Sequence, residues 1–454
     1  MIGSMSYEQI MDRLGASLHG VSVSFDRVST DTRTLQSGDL FIALDGPRFY
    51  GQSFVQQAID AGAVGVMLSH KPVEPVSALI VPDTREALGE LGAINRARFE
   101  GDLLAITGSA GKTTVKEMAT SILRQSQNVL ATQGNFNNEI GVPLTLLRID
   151  ATHGIAVMEL GASSIGEIAY SAALVRPDVA VITNAVDAHI EGFGSLNNIV
   201  QAKGEIIDAL DENGIVVINI DDLNAYKWIE RAGTRARLSF SLRESSGADY
   251  YAKNCRCNAS GAYRFQLESP AGTVEIQLPH LGMHNVSNAL AAAAGAMAVG
   301  AELKDVKVGL EQAVPVSGRL ITCRGQRGSV VIDDSYNANP ESLQAAVDVL
   351  CQCDGQKILV MGNMAELGDE SLAAHQKSGR YAREHGVDRL LTVGNLSAHA
   401  AREFGARACA YENREALILA LQHLLNTETT VLVKGSRSSR MEDVVRAITS
   451  EEKQ

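Results

Sequence analysis

Short apolar runs separated by helical periods recur along most of this chain. Between residues 100 and 313 the pattern predicts strands over 102–107, 154–160, 178–183 and 214–220, with helices between them. Alternation of this kind implies a mostly parallel, doubly wound sheet. The rhythm breaks over 237–279, where Ser, Tyr and alternating residues suggest an antiparallel appendage. An alanine-rich helix over 285–298 closes this unit. From residue 315 onward, strands over 329–332, 357–361, 389–393 and 429–433 alternate with helices, which predicts a second, smaller Rossmann-type sheet. Ahead of residue 84 lie strand-like stretches at 21–25, 39–44 and 63–68, a helical run at 54–61 and a loop at 71–75. A linking helix over 84–99 follows. The expected fold class is α/β with three domains: 1–83, 84–313 (linking helix included) and 314–454.

Composition agrees with that division. A chain of 454 residues accommodates about three domains. Hydrophobic content of 45% with 20% charged residues fits a globular protein with a large core. The net charge of -13 argues against a broad nucleic-acid-binding face. It leaves room for an anionic substrate in a local basic pocket. No apolar run approaches the roughly 18 residues of a membrane span. The N-terminus lacks the basic and apolar regions of a secretion signal, so a cytoplasmic protein without a membrane span is expected. The six cysteines include two Cys-x-Cys pairs but no finger-type metal spacing, and reduced thiols are expected. Nothing in the sequence demands a partner chain, and a monomer is expected.

The strand predicted over 102–107 runs into Gly108-Ser109-Ala110-Gly111-Lys112-Thr113-Thr114, where a helical pattern begins. Glycines let backbone N–H groups curl around a phosphate. Lys112 can reach β- and γ-phosphate oxygens, and the Thr113 hydroxyl can ligate Mg²⁺. The strict phosphate-loop pattern asks for glycine where Ile106 stands, so this is a shortened variant. A strand–turn–helix with a capping threonine is the plain alternative.

In open α/β sheets ligands gather at the carboxyl ends of strands. Glu159 ends one predicted strand and could hold Mg²⁺. His189 lies in the loop after the next, and Lys203 on the following helix. Singly, each has a plain explanation: a cap partner, a solvated loop residue and an exposed helix lysine. Their joint position beside a phosphate loop points to a catalytic centre. Asn135, Asn137 and Asn138, in Gly134-Asn135-Phe136-Asn137-Asn138-Glu139, form an amide-rich turn. Asparagine favours turns for backbone reasons alone. The density of amides also suits a polar sugar- or peptide-bearing substrate.

Together these pieces resemble the Mur ligases, ATP-dependent amide-forming enzymes of peptidoglycan precursor synthesis. The likeness spans essentially the whole chain. It implies a small α/β UDP-sugar-binding domain, a central parallel-sheet P-loop ATPase domain and a C-terminal Rossmann-like domain. The run Thr107 to Thr114 is similar to the family's Thr-Gly-x-x-Gly-Lys-Thr/Ser form, which accounts for Ile106. Glu159 and His189 fall where the family places Mg²⁺ ligands. Lys203 matches the lysine that CO₂ carbamylates in this family, giving an anionic oxygen ligand for a second Mg²⁺.

Further elements carry the resemblance into the other domains. His284-Asn285-Val286-Ser287-Asn288 is similar to the His-Asn-x-x-Asn element, whose asparagines, here Asn285 and Asn288, contact ATP. Capping asparagines at a helix start are the plain alternative. Arg319 resembles the linker arginine that reaches the nucleotide phosphates, and Asp334 the residue that contacts the ATP ribose. The Tyr336-Asn337-Ala338-Asn339-Pro340 run, and Asn363-Met364-Ala365-Glu366-Leu367-Gly368 with His375 beyond it, resemble the branch that adds a dipeptide. The Asp-Asn-Pro-Arg motif of the diaminopimelate-adding branch is missing. Lys434 ends the last strand and is expected to face the cleft. Ser29, Asp31, Arg33 and Arg48 resemble elements that hold the UDP-sugar. The two arginines could pair with diphosphate.

The resemblance implies that the terminal carboxylate of UDP-MurNAc-tripeptide is phosphorylated by ATP and then attacked by the amine of D-alanyl-D-alanine. Two Mg²⁺ ions and Lys112 would assist, with Thr113 and Glu159 on one ion and His189 and carbamylated Lys203 on the other. Closure of the third domain would bring Arg319, Asp334 and Lys434 to the ATP. Two alternatives remain open from the residues: another amide ligase, such as another Mur ligase or a folate-polyglutamylating enzyme, and a nucleotide-binding regulator without catalysis.

Overall fold

The strand Asp102–Thr107 is apolar on both faces, because both faces are covered. Leu104 and Ile106 pack in one core with helices Lys112–Leu123 and Met283–Ala298. Leu103 and Ala105 pack in another with helices Glu167–Val175 and Leu196–Asp208. This computed structural model describes residues 1–46, 50–73, 75–187, 190–258 and 261–450.

The described residues place Asp102–Thr107 inside a nine-stranded sheet. On one side lie Ile155–Glu159 and the edge strand Val129–Ala131. On the other come Val179–Ile182, Ile215–Asn219, Ala236–Ser241, Tyr250–Cys257, Ala262–Ser269 and Gly272–Leu281. Pairing is parallel from Val129–Ala131 through Tyr250–Cys257; only the last two strands pair antiparallel. The stretch over 237–279 is therefore not a separate appendage. Its first two strands continue the parallel sheet, and a hairpin then extends the same sheet. Alternating composition marked exposure on one face and carried no information on direction.

The C-terminal sheet has six strands in the order Ile321–Arg324, Val330–Asp334, Thr429–Lys434, Gln356–Met361, Arg389–Val393 and Ala408–Tyr411. Only the first pair is antiparallel. Val330–Asp334 and Thr429–Lys434 lie side by side, so Asp334 pairs in register with Lys434. The N-terminal sheet has five short strands, from Ser17–His19 through Ala78–Ile80, Gly65–Leu68 and Leu40–Ile42 to Val28–Ser29.

The helix Thr84–Ala97 ties the N-terminal sheet to the central one. Asp83 caps it, accepting from the N–H groups of Arg85 and Glu86. Its Leu88 and Leu91 bury against the N-terminal core, together with Leu147 from the central unit. Asn95, fully buried, satisfies three backbone groups at once. Its Nδ2 donates to Leu146 O (2.8 Å) and Ile149 O (2.9 Å), and its Oδ1 accepts from Ile2 N (2.9 Å). Among the described residues no helix is long and apolar enough to cross a membrane.

Candidate active site

The phosphate-loop segment turns where its glycines allow it. Gly111 has φ +82° and precedes helix Lys112–Leu123 directly. A Cβ there would stand 2.4 Å from Asn288 Oδ1, so only glycine fits. The loop after strand Val179–Ile182 braces it. Thr183 Oγ1 donates to Ala110 O (2.6 Å), Ala110 N to Asn184 Oδ1 (2.9 Å), and Ser109 N to Asn184 O (3.0 Å). Thr183 and Asn184 leave no mark in the sequence, because their role depends on strand adjacency. Lys112 Nζ donates to Gly108 O (2.7 Å) and Ser109 O (3.3 Å). Burial lowers its pKa; Glu159 opposes that and Arg319 adds to it.

A cleft of about 680 Å³ opens beside this loop. Residues 109–114 line it, as do Asn135, Asn137, Asn138 and Glu159 from the central domain. Asn285, Asn288, Arg319, Asp334, Tyr336, Asn337, Asn339 and Lys434 line it from the other side. The structure thus gathers into one cavity most of the residues singled out from widely separated stretches of sequence.

Glu159 is buried, and Asn137 Nδ2 donates to its Oε1 at 2.8 Å. Its Oε2 is buried with no hydrogen-bond partner. An orphaned carboxylate oxygen in the same cleft as the Thr113 hydroxyl fits a hard divalent cation. Among the described residues no three His, Cys, Asp or Glu side chains cluster as a self-sufficient metal site. His189 lies outside the described residues.

Lys203 is 1% exposed on helix Leu196–Asp208. Among the described residues its one hydrogen bond, to Ala162 O, is long at 3.5 Å, and its Nζ lies 5.1 Å from the Phe193 ring centroid. Burial, aided by Lys112, brings its pKa down to about 7 against the pull of Glu167 and Glu205. Glu205, two residues on, accepts from Gly166 N (2.9 Å) and Ala169 N (3.0 Å). It thereby caps helix Glu167–Val175, whose own N-cap is Gly166 with no side chain to offer. The sequence gives no sign of this role, since a carboxylate on a helix reads as a solvated group.

Across the cleft Lys434 and Asp334 are both buried and 2.5 Å apart, and Lys434 also donates to Asn337 O at 3.0 Å. Burial raises the Asp334 pKa despite Lys434. Asn339 caps helix Pro340–Cys351 by accepting from Ser342 N at 2.8 Å. Asn285 Nδ2 donates to Leu281 O (2.7 Å), and Asn288 Nδ2 to Asn285 Oδ1 (2.8 Å). Burial, with Lys434 and His280 nearby, brings His284 down to about 4.

Ser29, Asp31 and Arg33 are not among the described residues that line this cleft. Ser29 ends strand Val28–Ser29 and the other two follow it; Ser29 Oγ donates to Asp31 O (2.9 Å) and Arg33 Nη2 lies 2.6 Å from Asp31 Oδ2. Arg33 holds the Asp31 carboxyl down at about 2. Arg48 lies outside the described residues.

Three family models match successive stretches of the chain. Residues 24–96 match the Mur ligase family catalytic domain, 106–296 the Mur ligase middle domain, and 318–437 the Mur ligase glutamate ligase domain. The chain belongs to the Mur ligase family. Among its relatives, it is 44% identical over 448 residues to the UDP-N-acetylmuramoyl-tripeptide–D-alanyl-D-alanine ligase of Escherichia coli (strain K12), covering 98% of each chain. It superposes on the crystal structure of MurF from Acinetobacter baumannii with a TM-score of 0.93 at 36% identity, covering 98% of each. On MurF ligase from Thermotoga maritima in complex with ADP the TM-score is 0.83 at 28% identity, covering 93% of this chain and 96% of that one.

Proposed function

We propose that this Mur-family ligase joins D-alanyl-D-alanine to UDP-N-acetylmuramoyl-tripeptide at the expense of ATP, through an acyl phosphate. The observation that carries the reading is the convergence of the phosphate loop, Glu159 and the C-terminal pair Asp334–Lys434 on one cleft. The identity of its relatives supports the substrate pair. The domain bounds 1–83, 84–313 and 314–454 are part of the proposal. Packing of helix Thr84–Ala97 on Gly141–Leu146 and Glu167–Val175 supports giving that helix to the central unit.

A carboxylate is a poor electrophile. Transfer of the γ-phosphoryl group to its oxygen supplies a leaving group, and the dipeptide amine then attacks the carbonyl carbon. The tetrahedral adduct collapses to the amide and inorganic phosphate, with the amine proton passing to solvent or phosphate. Lys112 and Arg319 offset the repulsion between the two anions as they meet. Asn285 and Asn288 hold the nucleotide, and Asp334 the ribose. Asn135, Asn137, Asn138, Tyr336, Asn337, Asn339 and Lys434 face the substrates. Ser29, Asp31, Arg33 and Arg48 hold the UDP end.

The donor set fits Mg²⁺: Thr113 and Glu159 would hold one ion, and His189 with Lys203 a second. Bound there, Mg²⁺ supplies Lewis-acid stabilisation of the phosphoryl oxygens. Lys203 suits carbamylation because its amine is buried, weakly hydrogen-bonded and depressed to about 7. Near neutral pH a large fraction is the free amine, which adds to CO₂ with loss of a proton. The lysine then presents anionic oxygens. The reading is of a monomer, because one chain carries every residue invoked, and of a cytoplasmic protein. Mass spectrometry of the product formed from ATP, UDP-MurNAc-tripeptide and D-alanyl-D-alanine tests the reaction. A product heavier by the dipeptide residue supports it, and an unchanged substrate contradicts it.

A further inference from the structure

Arg319 sits in a linker bent on both sides. Gly318 has φ +73° and Leu320 φ +54°. A leucine takes up that left-handed conformation only where its surroundings force it. Leu320 is buried in an apolar cluster with Leu281, Ile332 and Val349, which anchors the bend. The linker is also tied to Tyr336, whose N–H donates to Gly318 O at 3.1 Å. A Cβ on residue 318 would stand 3.1 Å from the Cβ and N of Tyr336, so glycine permits the approach.

The Arg319 guanidinium lies over the Tyr336 ring, its Cζ 4.5 Å from the centroid. Its Nη2 donates to Thr113 Oγ1 at 3.0 Å, while its Nε is buried without a hydrogen-bond partner. Asp334, an acid close enough to feel the Arg319 charge, is already engaged by Lys434. Among the described residues no carboxylate pairs with Arg319. The aromatic face and the Thr113 hydroxyl thus orient this cation, and Arg437 approaches the same ring with its Cζ 6.0 Å from the centroid.

We propose that Tyr336 is the positioning residue that aims Arg319 at the phosphate loop. The chemistry favours an aromatic ring in this place. A carboxylate partner would orient a guanidinium equally well but cancel the charge needed for phosphoryl transfer. A π face attracts and aligns the planar group and leaves its charge intact. The ring lies in the loop between strand Val330–Asp334 and helix Pro340–Cys351. It therefore links the C-terminal domain's position to the cation beside the phosphate loop.

The inference rests on the reading of this cleft as the ATP site, and one set of kinetics separates the two. The full chain is assayed for phosphate release over a range of ATP concentrations, with the other substrates saturating, as Tyr336→Ala, Tyr336→Leu, Tyr336→Phe, Arg319→Lys and the double variant Arg319→Lys/Tyr336→Ala. Tyr336→Ala and Tyr336→Leu should each lower kcat roughly 10-fold, and Tyr336→Phe should recover most of that loss. The double variant should be no slower than Arg319→Lys alone, because the ring acts through the guanidinium. Losses that multiply, rescue by Leu, a Phe variant as slow as Ala, or no loss in Tyr336→Ala overturn the inference. An effect confined to the KM for ATP does so too, since the ring would then be a nucleotide platform. An Arg319→Lys variant with unchanged kcat contradicts the ATP-site reading of Arg319 itself.

Discussion

Arg319 Nη2 donates to the Thr113 hydroxyl across 3.0 Å, although 206 residues separate the two in the chain. The contact joins the linker that leads into the C-terminal sheet to the first turn of the phosphate-loop helix. In the proposed mechanism that arginine faces the phosphoryl group during transfer. Arg319→Ala should lower the single-turnover rate by ~100-fold, the scale of removing one preorganised charge-stabilising donor. Rapid-quench measurement of acyl phosphate formation checks this.

In the proposed mechanism the second metal site depends on Lys203. Lys203→Ala should lose most activity, on the order of 100-fold. Small carboxylates should restore part of it by supplying the missing anionic oxygens. Full turnover by the variant without any added carboxylate would sink the carbamate claim.

Glu205 holds the helix start beside Lys203 through Gly166 N and Ala169 N. Glu205→Ala leaves these donors unmet and should cost about 1–2 kcal/mol of stability. Amide hydrogen exchange should quicken at Gly166 and Ala169. Unchanged protection there would show that the carboxylate is not the cap.

Two histidines, His280 buried and His284 partly buried at the cleft, make stability depend on acid. His280 is 3% exposed, has no hydrogen bond on either ring nitrogen, and is held down at about 4 by burial. His284 is likewise brought down to about 4. Between pH 6.5 and 4 the unfolded chain binds protons that the folded chain refuses, so stability falls as the pH drops through that window. At and below pH 4 the loss approaches about 3 kcal/mol for each residue. His280→Leu should remove about half of this slope in urea unfolding followed from pH 7 to pH 4. An unaltered slope contradicts the assignment.

Asn95 serves three backbone groups from a fully buried position. Asn95→Ala leaves two carbonyls and one N–H without that partner and should cost about 3 kcal/mol. A chemical denaturation midpoint measured against the parent protein checks it. A shift within error would mean that the linking helix is held by its apolar face alone.

Much of the centre was legible because strand ends and a glycine-bearing loop leave local marks. Leu103 to Ile106 announce a strand covered on both faces, and Gly111-Lys112 announces the phosphate loop. Lys203 and Glu159 could be placed near that loop from topology alone. Thr183 and Asn184 could not, since they brace it across a neighbouring strand. Glu205 reads as an ordinary helix carboxylate until Gly166 is seen to need a cap. Val129–Ala131, Ile321–Arg324 and Ala408–Tyr411 are edge strands of three or four residues, too short for a periodic signal. The parallel course of Ala236–Ser241 and Tyr250–Cys257 was hidden for another reason: side-chain exposure along a strand does not report which way its neighbour runs.

The most direct test of the ligase mechanism is phosphate release from ATP in the presence of Mg²⁺ and UDP-MurNAc-tripeptide, with and without D-alanyl-D-alanine. The mechanism predicts release that depends on the dipeptide and matches amide product mole for mole. No dipeptide-dependent release, from protein shown to bind ATP, would contradict it.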